Sequence, residues 1–133
     1  MDQGTQKTIL IIEDEASQRK ALAYKFTEEG FRVVVAKDGK EGFRIALQEL
    51  PDLIILDLIL PKMDGVAMMK KLRAENAWGA EIPVVILTNA TPDNEQTMKA
   101  AIETEPAHYL VKTNWKIQDV VEKVRERLAM VEG

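Results

Sequence analysis

Five short runs of mostly apolar residues, at 8–12, 33–36, 53–56, 84–87 and 109–111, constrain this chain more than any other feature. They are continuous rather than alternating, which is the pattern of strands buried on both faces. β-branched residues dominate them. Helical patterns lie between. Leu22 and Phe26 mark a first helix that Gly30 stops, as a glycine at C′ does. Phe43, Ala46, Leu47 and Leu50 follow the i, i+3, i+4, i+7 rule, and Ile117, Val120, Val121, Val124 and Leu128 repeat it more strongly. Asp64-Gly65 turns into a short helix with Val66, Met69 and Leu72. Thr91-Pro92-Asp93 reads as N-cap, N1 proline and first-turn acid of a helix carrying Met98, Ala101 and Ile102. Asn114 is expected to cap the last helix. The order is five repeats of strand then helix. Short right-handed connections make this a parallel sheet covered by helices on both sides. A closed barrel needs eight such units and roughly 250 residues, and the chain has 133.

Composition narrows the function classes. The chain is 46% hydrophobic and 30% charged, as expected for one globular domain, here 1–133 with its core at about 7–129. A net charge of -4 argues against direct binding to nucleic acid or to an anionic membrane by this domain. There is no cysteine, which removes disulfides, thiolate metal sites and cysteine nucleophiles and fits a cytoplasmic location. No run is long enough to span a membrane, and the polar start has no apolar signal core.

The chemistry sits at the tails of the runs. Glu13-Asp14 ends the first, Asp57 the third, Thr88 the fourth and Lys112 the fifth. In an open parallel sheet, ligands bind beyond the carboxyl ends of the strands, and all five residues fall on that edge. Three converging carboxylates repel one another. A hard divalent cation relieves this, and oxygen-only ligands favour Mg²⁺ or Mn²⁺ over zinc. Asp14 and Asp57 are candidate direct ligands, Glu13 acts through water, and the Ile59 carbonyl offers another oxygen. A carboxylate can also attack phosphorus to give an acyl phosphate, with metal, Lys112 and Thr88 each covering one phosphoryl oxygen.

With these residues in this order, the chain resembles the receiver domain of bacterial two-component response regulators, from Thr8 to about Leu128. The motifs are the acid pair Glu13-Asp14, Asp57 followed by Pro61 and Asp64-Gly65, then Thr88, then Lys112. The resemblance implies a flavodoxin-like sheet of strand order 2-1-3-4-5 with five helices. It implies phosphorylation of Asp57 by a sensor histidine kinase or phosphotransfer protein, with Mg²⁺ held by Glu13, Asp14 and Asp57. Thr88 becomes the hydroxyl that moves toward the phosphoryl group, Lys112 the neutralising amine, and Tyr109 the aromatic switch. The fourth helix, fifth strand and fifth helix form the face that binds a downstream protein or a second copy of the chain.

Three departures from the family pattern stand out. Thr113 replaces the proline that usually follows the lysine, leaving the reach of Lys112 open. Asn89 replaces a small residue after the switch threonine, where it crowds the pocket or adds a hydrogen bond. Ile59 and Ala90 are apolar at positions that influence water attack on the phosphoryl group, which predicts slow self-dephosphorylation. Competing readings fit less well. A haloacid-dehalogenase-type enzyme needs D-x-D, and Ile59 stands at its second acid. A flavin or nucleotide module needs a phosphate-cradling loop, where this chain has Glu13-Asp14-Glu15. A receiver-like interaction module working without phosphate remains the alternative, kept open by Thr113 and Asn89. Among the remaining residues, His108 and the Met68-Met69 pair read as structural. Trp115 is expected to pack at the start of the last helix, and Trp78 to be exposed. The sequence is that of a stand-alone regulator or a piece of a longer one.

Overall fold

The computed structural model describes residues 6–89 and 95–132. Its elements run β1 (Thr8–Ile12), α1 (Ala16–Glu28), β2 (Arg32–Ala36), α2 (Gly39–Glu49), β3 (Leu53–Leu56), α3 (Gly65–Glu75), α4 (Ala77–Glu81), β4 (Val84–Thr88), α5 (Glu95–Glu103), β5 (His108–Val111) and α6 (Ile117–Glu132). The five strands form one all-parallel sheet in the order β2-β1-β3-β4-β5. This is the doubly wound architecture expected from the sequence. The described residues hold six helices rather than five. The extra one, α4, is a single turn that Asn76 opens by accepting the Gly79 N–H at 2.7 Å. The predicted fourth and fifth helices are therefore α5 and α6.

Continuous apolar strands give two cores, because successive side chains point to opposite faces. Ile9, Ile11, Leu53, Ile55, Val85 and Leu87 face Leu22 and Phe26 of α1 and Val120, Val121, Val124 and Leu128 of α6. Leu10, Ile12, Ile54, Leu56, Val84 and Ile86 face Ala46, Met68, Met69, Leu72 and Ala101 of α2, α3 and α5. Both faces of β1, β3 and β4 are buried, so these strands have no room for alternating polar residues.

The helix ends follow local chemistry. After α1 the Gly30 N–H bonds the Thr27 carbonyl and the Phe31 N–H bonds the Phe26 carbonyl, at 3.1 Å each. Gly30 has φ +96°, and the Phe26 and Phe31 rings lie 5.5 Å apart. Together these are a Schellman ending with its hydrophobic contact. Asp64 caps α3 by accepting the Ala67 N–H at 2.9 Å.

Several local expectations are corrected. Leu50 is not part of the apolar stripe of α2; it is the left-handed C-cap residue, φ 47°, and exposed. Ile102 also points to solvent. His108 begins β5 rather than preceding it. Asn114 belongs to a 3-10 turn, Lys112–Asn114, before the helix. At the start of α6, the Asp119 carboxylate accepts the Lys116 N–H at 3.3 Å. Trp78 is half-buried against the second core. The proposed cap at Thr91-Pro92-Asp93, and Ala90, lie outside the described residues.

Candidate functional site

All five strand-tail residues meet at the carboxyl edge of the sheet. β1 delivers Glu13, whose N–H bonds the Ala36 carbonyl of β2 at 3.0 Å; β3 delivers Asp57, whose N–H bonds the Ile12 carbonyl at 3.1 Å. Main-chain bonds to neighbouring strands thus hold the backbone from which both carboxylates project. Gly65 closes the space behind Asp57. A Cβ there would stand 2.6 Å from the Asp57 carbonyl oxygen and 2.6 Å from the Leu58 Cα. Only glycine allows α3 to start so close to the β3 tail.

Asp57 is 6% exposed, Glu13 2% and Thr88 fully buried. Buried carboxylates need partners, and these have them. Asp57 Oδ1 accepts the Thr88 hydroxyl at 2.7 Å and the Ile59 N–H at 3.1 Å. Asp57 Oδ2 accepts the Lys112 ammonium at 2.8 Å. The same ammonium donates to Glu13 Oε1 and, at 2.5 Å, to Gln18 Oε1. Glu13 Oε2 accepts the Glu15 N–H at 3.0 Å. One oxygen each from Glu13, Asp14 and Asp57 lies within 4.8 Å of the others, and Asp14 is exposed.

The electrostatics follow from burial and pairing. Burial raises the Glu13 carboxyl above its ordinary range; the bonds from Lys112 and the Glu15 N–H pull it back only in part, and the Asp57 charge adds to the rise. Burial alone would lower the Lys112 amine, but hydrogen bonds to Asp57 and Glu13 and the charges of both outweigh it. Lys112 is therefore held above the usual lysine range. Tyr109, half-buried against the second core, is raised by burial and then by the Asp57 charge.

The departures among the described residues can now be placed. No peptide bond among the described residues is cis, so Lys112–Thr113 is trans, and Lys112 still reaches Asp57. Asn89 is exposed and lines a cavity of about 300 Å³ together with Gln18, Leu22, Leu87, Lys112 and Trp115. The Ile59 side chain is 62% exposed beside Asp57.

Sequence reasoning missed Gln18 and Arg19. Gln18 is a lysine acceptor, and Arg19 donates to the carbonyls of Glu13 at 3.0 Å and Asp14 at 3.2 Å. Both occupy the polar first turns of α1, where a solvated side chain is the ordinary outcome. Only the spacing of four and five residues from Asp14 could have pointed to them.

Residues 9–125 match the response regulator receiver domain family. The chain is 36% identical over 106 residues to the alkaline phosphatase synthesis transcriptional regulatory protein PhoP of Bacillus subtilis, covering 80% of this chain and 42% of that protein. It is 32% identical over 120 residues to the DNA-binding response regulator MtrA of Mycolicibacterium paratuberculosis, covering 90% and 50%. It thus spans half or less of the length of these curated relatives. Among solved structures, a putative response regulator from Chloroflexus aurantiacus superimposes with a TM-score of 0.82 at 29% identity, covering 94% of this chain and 99% of that one. A CheY-like receiver domain from Methanospirillum hungatei shares the fold with a TM-score of 0.87 at 22% identity, covering 96% and 98%. With its ordered acids, hydroxyl and lysine on the edge of a 2-1-3-4-5 sheet, the chain belongs to the response regulator receiver domain family.

Proposed function

We propose that residues 1–133 act as one receiver that takes a phosphoryl group on Asp57 from a phosphohistidine of a sensor kinase or phosphotransfer protein. The convergence of Lys112 and Thr88 on the two oxygens of Asp57, 2.8 and 2.7 Å away, carries the reading. In the reaction a carboxylate oxygen of Asp57 attacks phosphorus. The phosphorus–nitrogen bond of the donor breaks, and the imidazole nitrogen leaves with the electron pair and takes a proton from water. The ammonium of Lys112 faces one phosphoryl oxygen and the Thr88 hydroxyl another. Such a transfer is mostly positioning and charge neutralisation, which is what these side chains offer.

The acid cluster fits a hard cation. It supplies oxygen donors only, three of them within 4.8 Å of one another. Burial disfavours the charge on Glu13, a cost that a cation offsets. Glu13, Asp14 and Asp57, with the Ile59 carbonyl, would hold Mg²⁺ or Mn²⁺, which when bound neutralises charge on the phosphoryl oxygens. Once the charge moves from carboxylate to phosphoryl group, the Thr88 hydroxyl follows it and Tyr109 adjusts. The equilibrium of the α5-β5-α6 face then shifts toward binding a downstream protein or a second copy of the chain.

The test is intact-protein mass after incubation with Mg²⁺ and acetyl phosphate, beside Asp57→Ala. One added phosphoryl group that requires both Mg²⁺ and Asp57 is expected. No adduct, together with no Mg²⁺-dependent change in tryptophan fluorescence, would overturn the proposal in favour of a phosphate-independent interaction module.

A further inference from the structure

An ammonium has three N–H donors and no more. In Lys112 they meet Glu13 Oε1, Asp57 Oδ2 at 2.8 Å and Gln18 Oε1 at 2.5 Å. Building on the phosphoryl-transfer reading, we propose that Gln18 is a positioning residue for this reaction, holding the Lys112 ammonium in place from helix α1.

The three acceptors are not equivalent during the reaction. Asp57 is the reacting carboxylate; when its oxygen bonds to phosphorus, its charge passes to the phosphoryl group and its hold on the lysine weakens. Glu13 belongs to the acid cluster that would hold the cation. Gln18 has neither duty. Its amide oxygen is the one acceptor whose chemistry is the same before and after transfer.

Gln18 is itself fixed. Its Nε2 donates to Glu15 Oε2 at 2.9 Å, and the Glu15 N–H donates to Glu13 Oε2 at 3.0 Å. Lys112, Gln18, Glu15 and Glu13 therefore close a ring of hydrogen bonds, and the lysine cannot swing without breaking it. The ring also answers the missing proline. Thr113 follows Lys112 through a trans bond in a 3-10 turn, so no pyrrolidine ring stiffens the loop that carries the amine. The stiffness comes from the neighbouring helix through a side chain.

The experiment measures phosphorylation of Asp57 by acetyl phosphate in Mg²⁺ for the wild-type chain, Gln18→Leu, Lys112→Ala and the double variant, with melting temperatures alongside. Leucine keeps the bulk and removes the acceptor. Losing one charge-assisted hydrogen bond that orients the transition state predicts a saturated rate lower by about tenfold. The half-saturating phosphodonor concentration should change much less. In the Lys112→Ala background Gln18→Leu should be nearly silent, because the amide acts through the amine. An unchanged rate in Gln18→Leu overturns the inference, as does a loss that persists without Lys112 or that merely tracks a fall in melting temperature. If the wild-type chain accepts no phosphoryl group on Asp57 and its tryptophan fluorescence does not respond to Mg²⁺, the underlying reading fails instead, and the inference with it.

Discussion

At the scale of single residues, Lys112 is the point on which the site turns. Its pKa is raised in the fold, so its contribution to stability is complete below the ordinary lysine value and disappears as pH climbs through the higher folded one. The stability difference between wild type and Lys112→Met should therefore be largest near neutrality and shrink in strongly alkaline solution. Denaturant titrations along a pH series measure it, and a difference that grows with alkalinity would contradict it. Ile59 makes a second prediction. Its exposed side chain stands beside Asp57 and has no group to orient a water. The phosphorylated form should decay more slowly than that of an Ile59→Asn, Ala90→Glu double variant, with phosphoprotein lifetime as the readout. The candidate site residues were legible in the sequence because each is an exception to its surroundings, a charge or hydroxyl ending an apolar run. Gln18 was not legible, because an amide in a polar turn contradicts nothing around it.

Among the elements, strands were the easiest to read and helix ends the hardest. A run of three to five mostly apolar residues reads as a buried strand once it recurs between helical stretches. Leu50 and Asn114 misled because each has a type that suits more than one position near a helix boundary. Leu50 completes an apolar stripe on paper, but the helix ends one residue earlier. Asn114 suits a cap, but the 3-10 turn after β5 takes it first. Arg73 was also unreadable. As an arginine in the last turn of α3 it resembles a solvated charge, but its guanidinium donates to the carbonyls of Gly79, Ile82, Thr104 and Glu105, at 2.9, 2.6, 2.9 and 3.2 Å. It thereby ties α3 to α4, to the approach to β4 and to the turn between α5 and β5. Arg73→Met leaves those carbonyls without their donor and should destabilise the chain by about 2 kcal/mol or more. It should also speed amide exchange between α5 and β5. An unchanged urea midpoint would show that water replaces the guanidinium at no cost.

For the whole molecule, the parallel sheet with helices on both sides was legible because short right-handed connections join five strand–helix units in few other ways, whereas the strand order came only from the resemblance to a known family. The division into two cores followed from the same continuity of the runs. The acid cluster links the fold to its conditions. A cation that binds only the folded chain stabilises it by mass action, about 2.7 kcal/mol at a hundredfold excess over its dissociation constant. The melting temperature should rise with Mg²⁺, fall again with a chelator, and respond little to either in Asp14→Asn. A Mg²⁺-independent melt of the wild-type chain would sink this. The position of β1 has a further consequence. It pairs with β2 on one side and β3 on the other, so the first of the five strands to be synthesised becomes an interior strand. β2 can cover one side of it early, but the other stays an open template until residues 53–56 emerge, and an open strand edge invites pairing with other chains. Trimming the two ends of the described chain is therefore unequal. Removing residues beyond Leu128 shortens a helix, whereas removing those up to Ile12 divides the sheet.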